Sequence, residues 1–472
     1  MTSGSAPCSD SAAQRLDELV AVLPPKSVVI DVDLLEKYRY DCARDPDGSV
    51  PTAVVRARST ADVQATLRWA GEHRVPVVPR GAGSSLSGGS TGLAGGITLS
   101  TERMREITID PAARVAIAQP GALNAEVKAA AAEHGLWYPP DPSSSEISSI
   151  GGNAATNAGG LCCVKYGVTA DYVLGMQVVL ADGTAVRLGG QWLKNAAGLS
   201  LTKLFVGSEG TLGIITELTL RLLPAPPPEH TLVAMFDTID AAARAVVTIT
   251  ARVRPSMLEL MDRSSVNAVE DKLRMGLNRN AGALLLARSD APAGAAGTEM
   301  ELLRAACEEQ GAHDIFTTDD PDEGAAFCEA RRAAVPAMEA FGTLLLEDVG
   351  VPVAKLPALV LGIEQIAAAR DTRIFLIAHA GDGNTHPVIA YDPTSTAAEQ
   401  RARQAFGEVM DLALRLGGTI TGEHGVGRLK AAWLPDQLGS DAMELTRRIK
   451  DALDPASILN PGVMLPTPNS PA

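Results

Sequence analysis

Three glycine-rich segments in the first half of the chain constrain its fold more than any other feature. They are RGAGSSLSGGSTGLAGG at 80–96, PPDPSSSEISSIGGNAATNAGG at 139–160 and VGSEGTLG at 206–213. One such segment could equally be a flexible hairpin, but flexible loops do not usually recur with apolar residues packed closely around them. Because glycine lets several backbone N–H groups approach one anion, a loop without lysine can hold a pyrophosphate. The three segments together predict an extended nucleotide cofactor.

The first glycine-rich segment does not match a dinucleotide-binding Rossmann unit. A predicted strand at 75–79 precedes it, and the chain resumes as a strand at 97–100, where a Rossmann unit would open a helix. Leu86 also occupies the place of the third glycine of a G-x-G-x-x-G motif. The cofactor is therefore expected in a different nucleotide-binding fold.

The pattern of predicted elements changes at PAPPPEH, residues 224–230. Short strands and glycine-rich loops precede this run, and strands alternating with long helical segments follow it. The pattern predicts two segregated α+β units joined near residue 226 and a helical piece from about residue 431.

Charge and cysteine usage exclude several classes of protein. With 56 acidic and 41 basic residues the net charge is −15, which disfavours nucleic acid as a partner. No apolar run reaches the roughly 18 residues of a membrane span. The six cysteines include no C-x-x-C pair, so reduced thiols are expected. The N-terminus matches no targeting signal, and we expect a cytoplasmic protein, or one peripheral to the inner face of the membrane.

Three of the seven histidines fall in two glycine-rich segments between residues 379 and 424. The first is HAGDGNTH, with His379 and His386, and the second is GEHGVG, with Glu423 and His424. A lone histidine is more often a structural hydrogen-bonding group, but two histidines plus an adjacent Glu-His pair favour a His/His/Glu metal site. Such ligands suit zinc, manganese or iron(II) and leave positions open for a substrate oxygen.

Several motifs in one order carry a resemblance to a known family. VPVVPRGAGSSLSGGS, SSIGGNAATNAGG followed by KYG, and GSEGTLGIITELTLRLLP resemble the FAD-binding domain of the vanillyl-alcohol oxidase type. The branch is that of D-lactate, glycolate and D-2-hydroxyglutarate dehydrogenases, and the similarity runs from about residue 40 to ILNPG at 458–462.

The resemblance implies an α+β fold in four parts. These are an N-terminal helical segment (1–45), a two-subdomain FAD-binding domain (46–226), a substrate- and metal-binding cap domain with an antiparallel sheet (227–430), and a C-terminal helical segment returning to the flavin (431–472). It also implies FAD contacts, which are Pro79, Arg80, Gly81, Ala82, Gly83, Ser84, Ser85, Pro140, Gly151, Gly152, Asn157, Gly160, Tyr166, Gly167, Glu209, Gly213, Ile214 and Asn460. The first glycine-rich loop lacks the histidine of covalent relatives, so the FAD is expected to be non-covalent.

The resemblance also implies roles for the residues near the substrate. The HxGDGNxH and GEHGxG motifs match in full, implying that His379, His386 and Glu423 bind a divalent metal, zinc or manganese, and that His424 is the base. Arg331 aligns with the carboxylate-binding arginine of the relatives. Its neighbour Arg332 would point about 100° away on a helix and is expected in solvent. A surface arginine pair on a charged helix is the alternative.

One departure from the family bears on the substrate. In the D-2-hydroxyglutarate branch a threonine and a lysine hold the distal carboxylate, and Val335 and Leu346 occupy the matching places here. A second carboxylate would then lie against apolar side chains and the acidic pair Glu347-Asp348, which is unfavourable. The sequence therefore favours a small monocarboxylic acid, D-lactate first and glycolate next.

Two other functions remain open from the sequence. The chain could be a non-catalytic FAD-binding subunit of a larger oxidase complex, or a flavoprotein of ether-lipid synthesis. The histidine cluster argues against the first, and no apolar membrane-facing entrance supports the second. For a dehydrogenase, the electron acceptor could be a quinone, a cytochrome, an electron-transfer flavoprotein or an iron–sulfur subunit. Relatives suggest a homodimer.

Overall fold

The computed structural model describes residues 9–292 and 294–466, so residues 1–8 of the predicted N-terminal segment lie outside it. The chain forms an α+β fold. A four-stranded sheet has the order Val28–Val29, Ala53–Arg56, Ile97–Ser100 and Val77–Arg80, with the last three strands parallel. Its parallel strands are buried, as their β-branched runs predict.

A second, antiparallel sheet completes the glycine-rich half of the chain. Its order is Ile107–Asp110, Val115–Ala118, Ile214–Arg221, Val173–Val179 and Ala185–Gly189. A two-stranded ribbon, Leu136–Trp137 with Leu223–Pro224, lies beside it. The alternating sequence ELTLR explains the central strand, because every second residue there is buried.

The second half of the chain is built on an eight-stranded sheet in which every pairing is antiparallel. Its order is His313–Thr318, His230–Phe236, Ala283–Ser289, Met257–Asp262, Arg373–His379, Asn384–Tyr391 and Thr343–Leu346, with Val349–Gly350 also paired to Asn384–Tyr391. The predicted fold class, including the antiparallel cap sheet, is confirmed.

Helices cover the sheets. They are Ser9–Val22, Val32–Leu35, Thr60–His73, Asn124–Ala132, Ile150–Thr156, Cys163–Tyr166, Leu201–Phe205, Ile239–Thr250, Arg263–Leu273, Ala296–Glu309, Pro321–Arg332, Ala334–Met338, Leu356–Ala369, Thr396–Arg415 and Leu434–Leu453. Ser59 is the N-cap of the helix Thr60–His73, and its hydroxyl accepts a hydrogen bond from the Asp62 N–H. Among the described residues, no helix is long and apolar enough to cross a membrane.

The C-terminal segment returns to the first sheet. Leu459 forms a parallel bridge with Val77 and is fully buried in the same core as Ile97. The Lys450 ammonium donates to the carbonyl of Leu459 at 2.8 Å and to the carboxylate of Asp454. These contacts place the turn after Leu459 beside the strand that leads into the first glycine-rich loop.

Candidate active site

A cleft of about 420 Å³ lies between the two halves of the molecule. All three glycine-rich segments contribute to one side. Residues of the second half form the other side, namely Arg331, Arg332, Val335, Pro336, Leu346, Ile377, His386, Glu423 and His424. The folded chain thus brings the predicted cofactor loops to one cavity with His386, Glu423 and His424, whereas His379 is not among the residues that line it.

The strand Val77–Arg80 directs the first glycine-rich loop into the cleft. The Arg80 guanidinium supports the loop, since a Cβ on Gly83 would lie 2.2 Å from Arg80 Nη2. Gly83 also has φ +77°, a conformation that favours glycine. Within residues 9–292 and 294–466, no group accepts a hydrogen bond from the backbone N–H of residues 81–85. Five successive N–H groups at the cleft are therefore available to phosphate oxygens, which fits the pyrophosphate of FAD.

Twelve of the predicted FAD residues line the cleft. They are Pro79, Arg80, Gly81, Ala82, Gly83, Ser84, Ser85, Gly151, Gly152, Glu209, Gly213 and Ile214. Sequence reasoning missed several further lining residues, including Thr101, Pro120, Ser144, Ser149 and Asn153. The serines belong to a polar run that the sequence displays, but nothing in the sequence shows which of them face the cleft.

Six predicted FAD residues lie outside the cleft lining, and they are Pro140, Asn157, Gly160, Tyr166, Gly167 and Asn460. Three of them hydrogen-bond to other parts of the protein through their side chains. Asn157 Oδ1 accepts from the Ala170 N–H at 2.9 Å, and the Tyr166 hydroxyl binds the Asp290 carboxylate. The Asn460 amide donates to two carbonyl groups of the glycine-rich loops, each at 2.8 Å. In the structure these three side chains connect neighbouring segments of the chain through hydrogen bonds.

Strand register explains why two histidines seven positions apart converge. The strands Arg373–His379 and Asn384–Tyr391 form a hairpin in which His379 pairs with Asn384 and Ile377 with His386. Paired residues and residues two apart share a face of a sheet, so both imidazoles project on the same side. Their ring centroids are 5.0 Å apart. His386 lies within the second strand, and His379 is the last residue of the first.

Glu423 completes the cluster from the loop after the helix Thr396–Arg415. Its Oε1 lies 3.1 Å from His379 Nε2 and 3.2 Å from His386 Nε2. His424 Nε2 is 3.8 Å from the same oxygen, and its ring stacks on His386 at 4.8 Å. The three groups predicted as metal ligands can thus each present one atom within 4.8 Å of the others.

Burial and charge set the protonation of the cluster. Burial alone would lower the pKa of His379, but the carboxylates of Glu259 and Glu423 raise that pKa well above its usual value. Burial opposes ionisation of Glu423, yet the neighbouring imidazoles hold its pKa well below its usual range. Burial lowers the pKa of His424 to about 4, so its imidazole is neutral at pH 7.

Glu259 is a functional residue that sequence reasoning missed. It lies on the strand Met257–Asp262, pairs with His379 across the sheet and is 1% exposed. One carboxylate oxygen is 2.8 Å from His379 Nδ1 and the other 2.8 Å from Arg331 Nε. A carboxylate on His Nδ1 fixes the orientation of the ring, and here Nε2 faces Glu423. The signal in the sequence is an acid within the apolar strand MLELMD.

The two predicted arginines occupy different environments. Arg331 is 2% exposed at the end of the helix Pro321–Arg332, and its Nη2 has no hydrogen-bonding partner among the described residues. The prediction that Arg332 lies in solvent is wrong, because its Nη2 is 2.9 Å from the carboxylate of Asp141 in the first half of the chain. Both line the cleft, but only Arg331 is paired with the carboxylate that orients His379.

The acidic pair Glu347-Asp348 does not face the cleft, which corrects one step of the sequence argument. Both residues are fully buried and neither lines the cavity. Glu347 lies 3.2 Å from the ammonium of Lys430. Asp348 Oδ2 accepts from the Thr421 hydroxyl and from the N–H groups of residues 422–424, at 2.6 to 2.9 Å. The pair therefore holds the Glu423-His424 loop, and the wall near Leu346 is apolar.

With this geometry established, the comparisons with known proteins define the class. Residues 51–189 match the family model described as "FAD binding domain", and residues 225–464 match "FAD linked oxidases, C-terminal domain". A solved structure of p-cresol methylhydroxylase with substrate bound superposes with a TM-score of 0.83 at 18% identity, covering 98% of this chain and 99% of that chain. The fold is that of a flavoenzyme of the vanillyl-alcohol oxidase type.

Proteins similar in sequence indicate which kind of flavoenzyme this is. The glycolate oxidase subunit GlcD of Bacillus subtilis is 43% identical over 430 residues, which cover 90% of this chain and 91% of that protein. D-lactate dehydrogenase of Anaerostipes hadrus is 35% identical over 457 residues, 93% and 95% of the two chains. The chain belongs to the FAD-linked oxidase family, in its D-2-hydroxy acid dehydrogenase branch.

Proposed function

We propose that this enzyme oxidises D-lactate to its 2-oxo acid with non-covalent FAD and a divalent metal. The observation that carries the proposal is one continuous cleft, which joins the glycine-rich loops to Arg331, His386, Glu423 and His424. Glycolate and D-2-hydroxyglutarate are the alternative substrates, and the relative named glycolate oxidase subunit supports the first of them.

The residues that would hold FAD lie on the first side of the cleft. The free N–H groups of residues 81–85 would bind the pyrophosphate, and Gly151, Gly152, Gly213 and Ile214 would line the remaining length. When bound, FAD supplies the acceptor for the hydride that leaves the substrate C2. No histidine lies in residues 80–96, which supports a dissociable cofactor.

His379, His386 and Glu423 would hold the metal. The donor set fits zinc or manganese, and Glu423 Oε2 is buried with no hydrogen-bonding partner among the described residues, so a ligand atom is available. When bound, the metal supplies Lewis acidity that lowers the pKa of the substrate hydroxyl. Glu259 fixes the ring of His379 in the orientation that this requires.

His424 and Arg331 would act on the substrate directly. The neutral imidazole of His424 accepts the hydroxyl proton, and its Nδ1 has no partner in the described part of the chain. Arg331 Nη2, also without a partner there, donates to the substrate carboxylate. Arg331 is itself fixed by Glu259, so one buried carboxylate orients both the substrate cation and a metal ligand.

The wall beyond these groups selects a short side chain. Val335, Pro336, Leu346 and Ile377 line the cleft there, and among the described residues the cations that line the cleft are Arg80, Arg331 and Arg332. A methyl group would be buried favourably against this wall, whereas a second carboxylate would lose its hydration without a partner. D-lactate is therefore preferred over D-2-hydroxyglutarate.

The test is an anaerobic absorbance titration of the purified protein with D-lactate, L-lactate, glycolate and D-2-hydroxyglutarate, each with and without a chelator. Bleaching of the flavin band by D-lactate, lost on chelation and restored by zinc or manganese, is expected. A flavin spectrum that no hydroxy acid bleaches would favour a non-catalytic FAD-binding subunit. The electron acceptor, the homodimer, the cytoplasmic location and the four-part domain division stay predictions.

A further inference from the structure

The loop 421–427, which presents Glu423 and His424, contains no helix or strand of its own. Its position therefore depends on what holds it. On the cap side, the carboxylate of Asp348 accepts from four donors of residues 421–424. On the flavin side, the holding group is a second buried carboxylate, that of Glu209.

Glu209 binds the loop with both of its oxygens. Oε1 accepts from the Val426 N–H at 2.7 Å and Oε2 from the Gly427 N–H at 2.8 Å. Nearby, the Ser87 hydroxyl donates to the His424 carbonyl at 3.1 Å. Val426 and Gly427 follow His424 by two and three residues, so a shift of Glu209 would move the imidazole with them.

Glu209 is itself fixed within the wall of the flavin cleft. It lies in the third glycine-rich segment between Ser208 and Gly210, all of which line that cleft. Its N–H donates to the Ala155 carbonyl at 2.8 Å, and its carbonyl accepts from the Asn460 amide at 2.8 Å. The same residue thus contacts the flavin side through its backbone and the catalytic loop through its side chain.

Glu209 adopts a costly state. Its φ of +50° is uncommon for a residue other than glycine. Its carboxyl is buried with backbone amides as its hydrogen-bonding partners, and burial raises its pKa to about 7. Keeping this buried carboxylate ionised therefore costs free energy at neutral pH. Its two acceptor bonds serve the placement of the loop.

We propose that Glu209 is a positioning residue that couples the flavin-binding wall to the loop carrying His424 and Glu423. The inference rests on the proposed function and departs from the flavin-contact role that the family resemblance implies for Glu209. It requires that loss of one acceptor oxygen displace the base while FAD and the substrate still bind.

The variant Glu209→Gln tests this directly. Its amide keeps one acceptor oxygen but sets an NH₂ group against an N–H donor of the loop. The matched control is Thr211→Val, which removes a buried bond to the Ser208 carbonyl in the same segment without contact to residues 424–427. We expect Glu209→Gln to slow flavin reduction about 10- to 100-fold, with FAD affinity and the substrate Kd changed less than about threefold. Thr211→Val should leave the rate near that of the wild type.

Hydrogen exchange of the peptide spanning residues 420–430 separates this proposal from the proposed function. Exchange there should be faster in Glu209→Gln than in the wild type or Thr211→Val, even if no hydroxy acid reduces the wild-type flavin. Unchanged exchange, or an unchanged rate of flavin reduction in an enzyme that is active, would overturn the proposal. Loss of FAD with a normal rate after saturation would instead make Glu209 a flavin contact.

Discussion

On the flavin side of the cleft the wall is formed mainly by glycine-rich loops, whereas on the cap side it includes imidazole, carboxylate and guanidinium groups carried by a strand, a helix and the loop 421–427. The flavin side presents the unpaired N–H groups of residues 81–85. The cap side presents side chains whose partners are other buried side chains, such as Glu259 with Arg331. A binding site made of backbone groups is lost when a new side chain has no space beside the loop. A site made of side chains is lost when a single functional group is removed.

The two sides of the cleft should therefore respond differently to amino-acid substitution. On the flavin side, an added Cβ should matter where it meets rigid backbone and should be tolerated elsewhere. On the cap side, replacing a single nitrogen or oxygen should remove a chemical step while the fold persists. The predictions below run from the largest expected effect to the smallest.

The largest effect is expected for His424→Ala. Removing the proposed base should slow anaerobic reduction of the flavin by D-lactate about 10²- to 10⁴-fold, measured by stopped flow, with FAD still bound. His134→Ala is the matched control, because that histidine is exposed and lies outside the cleft. If His424→Ala reduced its flavin at the wild-type rate, His424 would not be the base. The cap side would then not depend on single functional groups, in contrast to the argument above.

Arg331→Ala should raise the substrate Kd about 10- to 100-fold without changing the flavin spectrum, since it removes charged hydrogen bonds to the carboxylate. Because it also removes the guanidinium partner of one Glu259 oxygen, Arg331→Lys is the milder variant and should restore part of the affinity. Arg332→Ala should have a smaller effect on Kd, because that guanidinium is engaged by Asp141. The opposite ranking would move the carboxylate site to Arg332.

Only some residues of the catalytic side can be recognised from the sequence. The cluster of His379, His386 and Glu423 could be predicted, because each residue lies in a short motif of consecutive residues, HAGDGNTH or GEHGVG. Glu259 could not be assigned, because its role follows from strand register with His379, 120 residues away. The strand Met257–Asp262 passes directly into a helix with Asp262 as N-cap, so no glycine or proline marks the boundary.

The residues that the family resemblance assigns to FAD binding fall into two groups, those that line the cleft and those that hold other segments in place. The contiguous loop 79–85 lines the cleft as expected, whereas Asn157 and Asn460 hold loops in place. A motif shows that a residue is needed, but its contacts depend on chain segments far away in sequence. Glu209 is the clearest case, because its partners Val426 and Gly427 lie more than 200 residues further along the chain.

Two adjacent glycines test the backbone side of the comparison. A Cβ on Gly151 would lie 2.4 Å from Pro120 Cβ and 2.9 Å from the Pro120 carbonyl oxygen, whereas one on Gly152 meets only the Ser149 hydroxyl at 3.1 Å. Gly151→Ala should therefore destabilise the apoprotein by about 1–3 kcal/mol in denaturant unfolding. Gly152→Ala should leave apoprotein stability nearly unchanged and weaken FAD binding in a fluorescence titration. Equal stability of both variants would contradict the close packing.

The smallest effect is expected for a substitution of Leu346, in the apolar part of the cap-side wall. Leu346 lies on the face of the sheet that carries His386, since it pairs with Val388 two residues further along the same strand. Leu346→Lys would place a cation beside the wall that now excludes a second carboxylate. The ratio of kcat/KM for D-2-hydroxyglutarate to that for D-lactate should rise about tenfold, because a new exposed ion pair contributes roughly 1 kcal/mol and burial of the methyl group is lost.

Leu346→Met is the matched control, because it keeps an apolar side chain of similar volume and should leave that ratio unchanged. A ratio that also stays unchanged in Leu346→Lys would mean that the distal part of the substrate lies elsewhere in the cleft. Selectivity for a small acid would then arise from Val335 or Pro336, on the helix Ala334–Met338, rather than from the strand Thr343–Leu346. Either result locates the substrate side chain relative to the His386 imidazole.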